Sequence, residues 1–143
     1  MIVGYIDTSF LLSLIFEDNN YNEAARVWND SGILCSSIVL DIEAMINVYK
    51  FYRLNKKDES LYREKKEQLR HLLNTINRKT VDEEIVIEIE NMERLKYPKS
   101  LDSIHLATAN IFAKTIDVPL LLCTYDNNMI EAGNELGMNT LLK

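Results

Sequence analysis

V-G-Y-I-D-T-S, residues 3–9, decides how the rest of the chain is read. An apolar run stops at Asp7, two hydroxyl residues follow, and F-L-L-S-L-I-F continues from Phe10. A short apolar run bounded by turn or capping residues suits a strand covered on both faces, as in a parallel sheet. That places Asp7 at the strand's carboxyl end, with Thr8 or Ser9 capping the next helix. Ligands of open α/β sheets bind in the crevice outside those carboxyl ends. Asp7 taken alone reads more simply as a capping residue. The pattern recurs, however, in L-L-L-C-T-Y-D, residues 120–126, another apolar run ending in an aspartate ahead of a helical stretch. Two such carboxylates converge if their strands are neighbours.

Outward from these strands the chain alternates strand and helix, with no repeat, low-complexity tract or linker. Helices are predicted over Ser9–Phe16, Tyr21–Asn29 (closed by Ser31-Gly32), Val39–Leu54, Glu59–Ile76, Glu83–Leu95 behind an Asp82 cap, Leu101–Thr115 and Asn127–Leu136. Further strands are predicted over Ile33–Ser36, Lys79–Val81 and Asn139–Leu142, with Tyr97-Pro98-Lys99 as a loop. The Val39–Leu54 helix carries Ile42, Met45, Ile46 and Tyr49 at helical spacing. This order implies a three-layer α/β/α sandwich on a parallel sheet of about five strands, from which Val39–Leu54 and Glu59–Ile76 project as a helical hairpin.

All 143 residues read as a single domain, long enough to bury a core without staples. No apolar segment approaches the roughly 20 residues that span a bilayer, and the N-terminus lacks the layout of a signal peptide. Cys35 and Cys123 fall in strand-like runs and read as buried thiols, which fits a reducing cytoplasm. The net charge of −6 conceals an asymmetry. Between Lys50 and Lys79 ten basic residues face four acids, a surplus of six positive charges, and the remainder of the chain is at −12. A basic arm on an acidic body has two readings, a solvated helix laced with pairs such as Glu59–Arg63 or a surface for polyanions.

Four carboxylates, Asp7, Glu43, Asp102 and Asp126, flank apolar elements at the same predicted end of the sheet. Two unit charges about 4 Å apart cost roughly 4 kcal/mol at an effective dielectric near 20, so a bound cation would relieve such a cluster. Carboxylate-only sets suit Mg²⁺ or Mn²⁺, whereas zinc favours Cys or His. His105, three residues after Asp102, reads as a packed or hydrogen-bonded histidine rather than a ligand, and His71 carries no evident chemistry.

The segments Y-I-D-T-S-F-L-L, S-S-I-V-L-D-I-E, S-L-D-S-I-H-L-A-T-A and L-L-C-T-Y-D-N-N-M together resemble the four motifs of PIN-domain ribonucleases, particularly VapC-type toxins of toxin–antitoxin pairs. The resemblance spans nearly the whole chain, and its most specific parts are D-S-I-H-L-A-T-A and T-Y-D. It implies that Asp7, Glu43, Asp102 and Asp126 bind Mg²⁺ or Mn²⁺ and carry catalysis, with Thr124, and beside Asp7 also Thr8 and Ser9, in support. Asp41 competes with Glu43, although Glu43 better fits the spacing from Ser37. Some relatives carry a further acid where Asn127 and Asn128 stand, so one metal ion or two is left open. The activity implied is hydrolysis of RNA, with a cognate antitoxin and a second copy of the chain as partners. Arg63, Lys66 and Arg70, at helical spacing on the basic arm, are the candidate RNA contacts.

Other acid-bearing α/β folds fit less well. A phosphoaspartate receiver wants paired acids after its first strand, a haloacid-dehalogenase-type phosphatase wants an aspartate where Ser9 stands, and a dinucleotide fold wants a glycine-rich first turn. The remaining alternatives are a catalytically silent PIN fold that only binds, or a PIN nuclease of RNA processing that is no toxin.

Overall fold

The computed structural model describes residues 1–141. Five parallel strands form one sheet: β1 (Ile2–Ile6), β2 (Ser31–Ser37), β3 (Asn77–Lys79), β4 (Leu120–Cys123) and β5 (Asn139–Thr140), in the spatial order β3-β2-β1-β4-β5. β1 is central, with Tyr5 opposite Cys35 on one side and opposite Leu122 on the other. The chain winds outward through β2 and β3, then returns across β1 to β4 and β5. The strand order therefore reverses between β1 and β4, and a crevice opens at such a switch point.

One face is covered by α1 (Thr8–Phe16), α2 (Tyr21–Asp30), α3 (Val39–Leu54) and α4 (Glu59–Leu73). Ile6, Phe10, Leu40, Val48, Leu69 and Leu73 lie in its core. The other face is covered by α5 (Glu83–Asn91), a 3₁₀ turn (Glu93–Lys96), α6 (Ser100–Lys114) and α7 (Asn127–Glu135), with Val3, Tyr5, Ile85, Leu106 and Leu122 inside. Strands covered on both faces explain why β1 and β4 read as unbroken apolar runs. Gly133 lets α7 lie close to β4, since a Cβ there would stand 2.5 Å from Leu122 Cδ2. Gly137 ends the same helix at φ +84°, a conformation that glycine adopts at little cost.

The three-layer reading holds, with local differences. Ser31 closes α2 as its C-cap, as expected, and together with Gly32 also opens β2, because backbone pairing with β1 begins at Ile2–Ser31. β3 lies two residues earlier than Lys79–Val81, set by its register against Cys35–Ser37. The Glu83–Leu95 helix breaks at Met92, and the 3₁₀ turn takes over. The last strand covers Asn139–Thr140, and Leu142 of the predicted range lies outside the described residues.

The α3–α4 hairpin is exposed at its tip, while its base is pinned. Lys65 Nζ and Gln68 Nε2 donate to the carbonyls of Ile15 and Leu14 at the end of α1, at 2.7 and 3.3 Å. On α3 the buried stripe is Val39, Leu40, Ala44 and Val48. Ile42, Met45, Ile46 and Tyr49 form the outer stripe instead and are 47–58% exposed. Cys35 and Cys123 are free, buried thiols, with burial pushing Cys35 up to about 12.

Candidate functional site

Asp7 is the first residue past β1, and its backbone N–H extends the ladder to the Cys123 carbonyl of β4. The side chain caps α1, so the predicted cap by Thr8 or Ser9 is corrected: Asp7 Oδ1 accepts from the N–H of Phe10 at 3.0 Å. The two hydroxyl residues are thereby released for other contacts. Ser9 Oγ donates to Asp7 Oδ1 at 2.8 Å and accepts from the Tyr125 N–H at 2.9 Å. Thr8 Oγ1 donates to Glu43 Oε1 at 2.8 Å.

Thr124, fully buried after β4, donates to Asp7 Oδ2 and accepts from the Asp126 N–H. Asp126 caps α7, taking the N–H groups of Asn128 and Met129 on Oδ1 at 2.8 and 3.1 Å. Both aspartates therefore cap a helix, because a residue just past a strand's carboxyl end also begins the next helix. Burial pushes the Asp7 carboxyl up, against the pull of its three hydrogen bonds and of His105.

Glu43 belongs to α3 on one face of the sheet, yet it is held by α6 on the other. Its Oε1 meets His105 Nε2 at 2.7 Å, and His105 Nδ1 meets the Tyr5 hydroxyl at 2.8 Å. Both His105 and Tyr5 are buried. His105 is therefore a hydrogen-bonded residue that orients an acid, as its sequence context suggested. Burial lifts the Glu43 carboxyl, but hydrogen bonds from His105 and Thr8 outweigh it and hold the group below its ordinary range. Asp41 pairs with Arg78 instead, and its Oδ1 is buried with no hydrogen-bond partner among the described residues.

Asp102, half-buried in the first turn of α6, completes the group. Burial pushes its carboxyl up, and the charges of Asp126 and Glu43 push the same way. Asp102 thus lies within electrostatic reach of Asp126 and Glu43. A cleft of about 350 Å³ lies against Asp102 and Asp126 and is also lined by Arg94, Tyr97, Lys99 and Asn128. In sequence Tyr97 and Lys99 read only as a loop and Asn128 only as the place of a further acid, and the signal available was Lys99 three positions before Asp102.

The donor set fits a hard divalent cation, being all carboxylate oxygen. Among the described residues the hydrogen bonds to Glu43 and Asp126 fall on one oxygen of each, which leaves the other for a cation. No three His, Cys, Asp or Glu side chains among the described residues form a ready-made coordination shell. Arg63, Lys66 and Arg70 do share a surface, lining a second cavity of about 390 Å³ between α3 and α4 with Arg78. Arg70 pairs with Glu67, and Lys66 Nζ lies 4.5 Å over the Tyr62 ring.

This chain belongs to the PIN domain family, whose description matches residues 4–135. PIN domains are generally nucleases, and membership supports that class of activity here. Among solved structures the fold is similar to a toxin–antitoxin complex from Klebsiella pneumoniae, at 18% identity and TM-score 0.60, covering 91% of this chain and 90% of that one. It is also similar to PAE2754 from Pyrobaculum aerophilum, at 17% identity and TM-score 0.55, covering 92% and 86%. Comparison with curated proteins finds no match. No helix among the described residues is long and apolar enough to cross a membrane.

Proposed function

We propose that this protein is a Mg²⁺- or Mn²⁺-dependent endoribonuclease and the toxin of a toxin–antitoxin pair, working in the cytoplasm. The observation that carries the reading is a PIN fold that sets Asp7 and Asp126 at the heads of the helices following the neighbouring strands β1 and β4, with Glu43 and Asp102 as the further acids of the proposed site. A bound divalent ion would lower the pKa of a coordinated water and offset charge on the scissile phosphate. The chain's own part is to hold the acids: Thr124, Ser9 and the Phe10 N–H fix Asp7, and Thr8 with His105 fixes Glu43. Buried thiols suit a reducing compartment.

The toxin assignment is supported by the likeness of the fold to the Klebsiella toxin–antitoxin complex. An antitoxin segment would find open helical surface near Tyr21–Trp28 and along Tyr49–Leu73. The exposed stripe of α3 gives a homodimer an apolar surface to bury. Arg63, Lys66 and Arg70 would bring RNA to the body through backbone phosphates.

The test is cleavage of total RNA by the purified protein in Mn²⁺ or Mg²⁺. Cleavage should vanish in EDTA and in Asp7→Asn, and either metal should raise the melting temperature of the wild type but not of that variant. Absence of cleavage by the wild type in both metals, or a full thermal shift in Asp7→Asn, would overturn the reading.

A further inference from the structure

Tyr97 closes the 3₁₀ turn ahead of α6 and leaves its ring 69% exposed. The fold keeps this aromatic face in water although it is no part of either core. The ring is not loose. The Arg94 guanidinium lies over it, 5.4 Å from the centroid, and is itself tied to Glu135 of α7. A rigid aromatic ring backed by a guanidinium plane is the surface on which unpaired nucleobases stack.

Location gives the pair its meaning. Arg94, Tyr97 and Lys99 border the same cleft as Asp102, Asp126 and Glu131. Lys99 is close enough to Asp102 to draw its carboxyl downward against the pull of burial and Asp126. The cations of α4 are elsewhere: the cavity they line shares no residue with this cleft. They suit a distant stretch of backbone, whereas Tyr97 stands beside the acids. An acidic peptide would meet Asp102, Asp126 and Glu131 in the cleft and be repelled. A nucleotide presents a π face to Tyr97 and a single phosphate to Lys99.

We infer that Tyr97 and Arg94 form a stacking platform for one base of single-stranded RNA next to the cleaved phosphodiester, with Lys99 contacting an adjacent phosphate. The inference rests on the ribonuclease reading and adds a specificity element to it: the substrate is unpaired at that base. A duplex cannot present a free base face there without opening.

The probe is a uridine dodecamer with one central 2-aminopurine and a 5′ fluorescein, bound in EDTA so that no cleavage intervenes. Tyr97→Leu should weaken binding about 5- to 150-fold, the equivalent of the roughly 1–3 kcal/mol carried by one stacked base. It should also abolish the stacking-dependent quenching of 2-aminopurine and leave the salt dependence unchanged. Tyr97→Phe should bind and quench as the wild type does. Lys99→Gln should keep the quenching and lower the salt slope by about one. Because Tyr97 is exposed, these variants keep the fold, which a melting curve verifies.

The platform is overturned if Tyr97→Leu binds and quenches like the wild type, or if Tyr97→Phe loses as much as Tyr97→Leu. Equal affinity for a blunt RNA duplex of the same length overturns it as well. Cleavage of total RNA in Mn²⁺ separates the two levels. A wild type that cleaves, with Tyr97→Leu unaffected in binding, removes the platform alone. A wild type that neither cleaves nor binds the dodecamer removes the ribonuclease reading and the platform with it.

Discussion

Thr124→Val tests the support of the site most directly. Valine nearly matches threonine in shape, so a residue with no solvent exposure loses its hydroxyl and little packing. Three partners are then abandoned: the Asp7 carboxylate, which accepts from Thr124, the Asp126 N–H, which donates to it at 3.1 Å, and, more distantly, the Ser9 hydroxyl at 3.4 Å. A hydrogen bond to a charged group contributes about 1.5–3 kcal/mol and a neutral one about 1 kcal/mol, so the loss should be about 2–4 kcal/mol. For a chain of this size that lowers Tm by roughly 5–15 °C. Thr124→Ser keeps the hydroxyl and should lose only about 1 kcal/mol for the missing methyl.

The loss should also depend on pH. The Thr124 hydrogen bond favours the charged form of Asp7, whose carboxyl burial already pushes up. Without that bond the folded-state pKa rises further above the unfolded value. The full deficit is then present above the variant's folded pKa. Its charge-dependent part disappears below the unfolded value of about 3.9, where Asp7 is protonated in both states. Urea titrations of the metal-free protein at several pH values measure this. A loss under about 0.5 kcal/mol at neutral pH, or one that grows as pH falls, refutes the reasoning.

Asp102→Asn should behave oppositely, raising the Tm of the metal-free protein at neutral pH. Burial and the charge of Asp126 lift the Asp102 carboxyl, so charging it opposes folding, and the gain should fade as pH falls through the folded pKa; a lowered Tm at pH 7 speaks against it. Replacing Arg63, Lys66 and Arg70 together with glutamine should weaken RNA binding for every sequence and flatten its salt dependence, with Mn²⁺ affinity unchanged, and a wild-type slope would leave the arm a solvated surface. Met45→Glu places a charge in the exposed α3 stripe and should turn a dimer into a folded monomer by light scattering. A dimer of wild-type stability in that variant would move the interface elsewhere.

The sequence by itself determined the alternation of strands and helices, the parallel sheet and the acids at its carboxyl ends. Unbroken apolar runs stopping at Asp7 and after Cys123 are local patterns, and they dictate local structure. Period alone also located α3, but not which stripe of it would be buried. Val39, Leu40, Ala44 and Val48 won that place over Ile42, Met45, Ile46 and Tyr49 because α1 and α4 pack from their side. Tertiary structure likewise gives Asp41 and Glu43 different partners. Arg78 of β3 claims the first, whereas Thr8 and His105 claim the second from 35 and 62 residues away. The same is true of Asp7, held by Thr124 from 117 residues along the chain, and of Tyr97 and Arg94, which only the packing of α6 and α7 brings beside the acids. These partners meet because sheet register and helix packing carry them together, and no local propensity in the sequence encodes such an encounter.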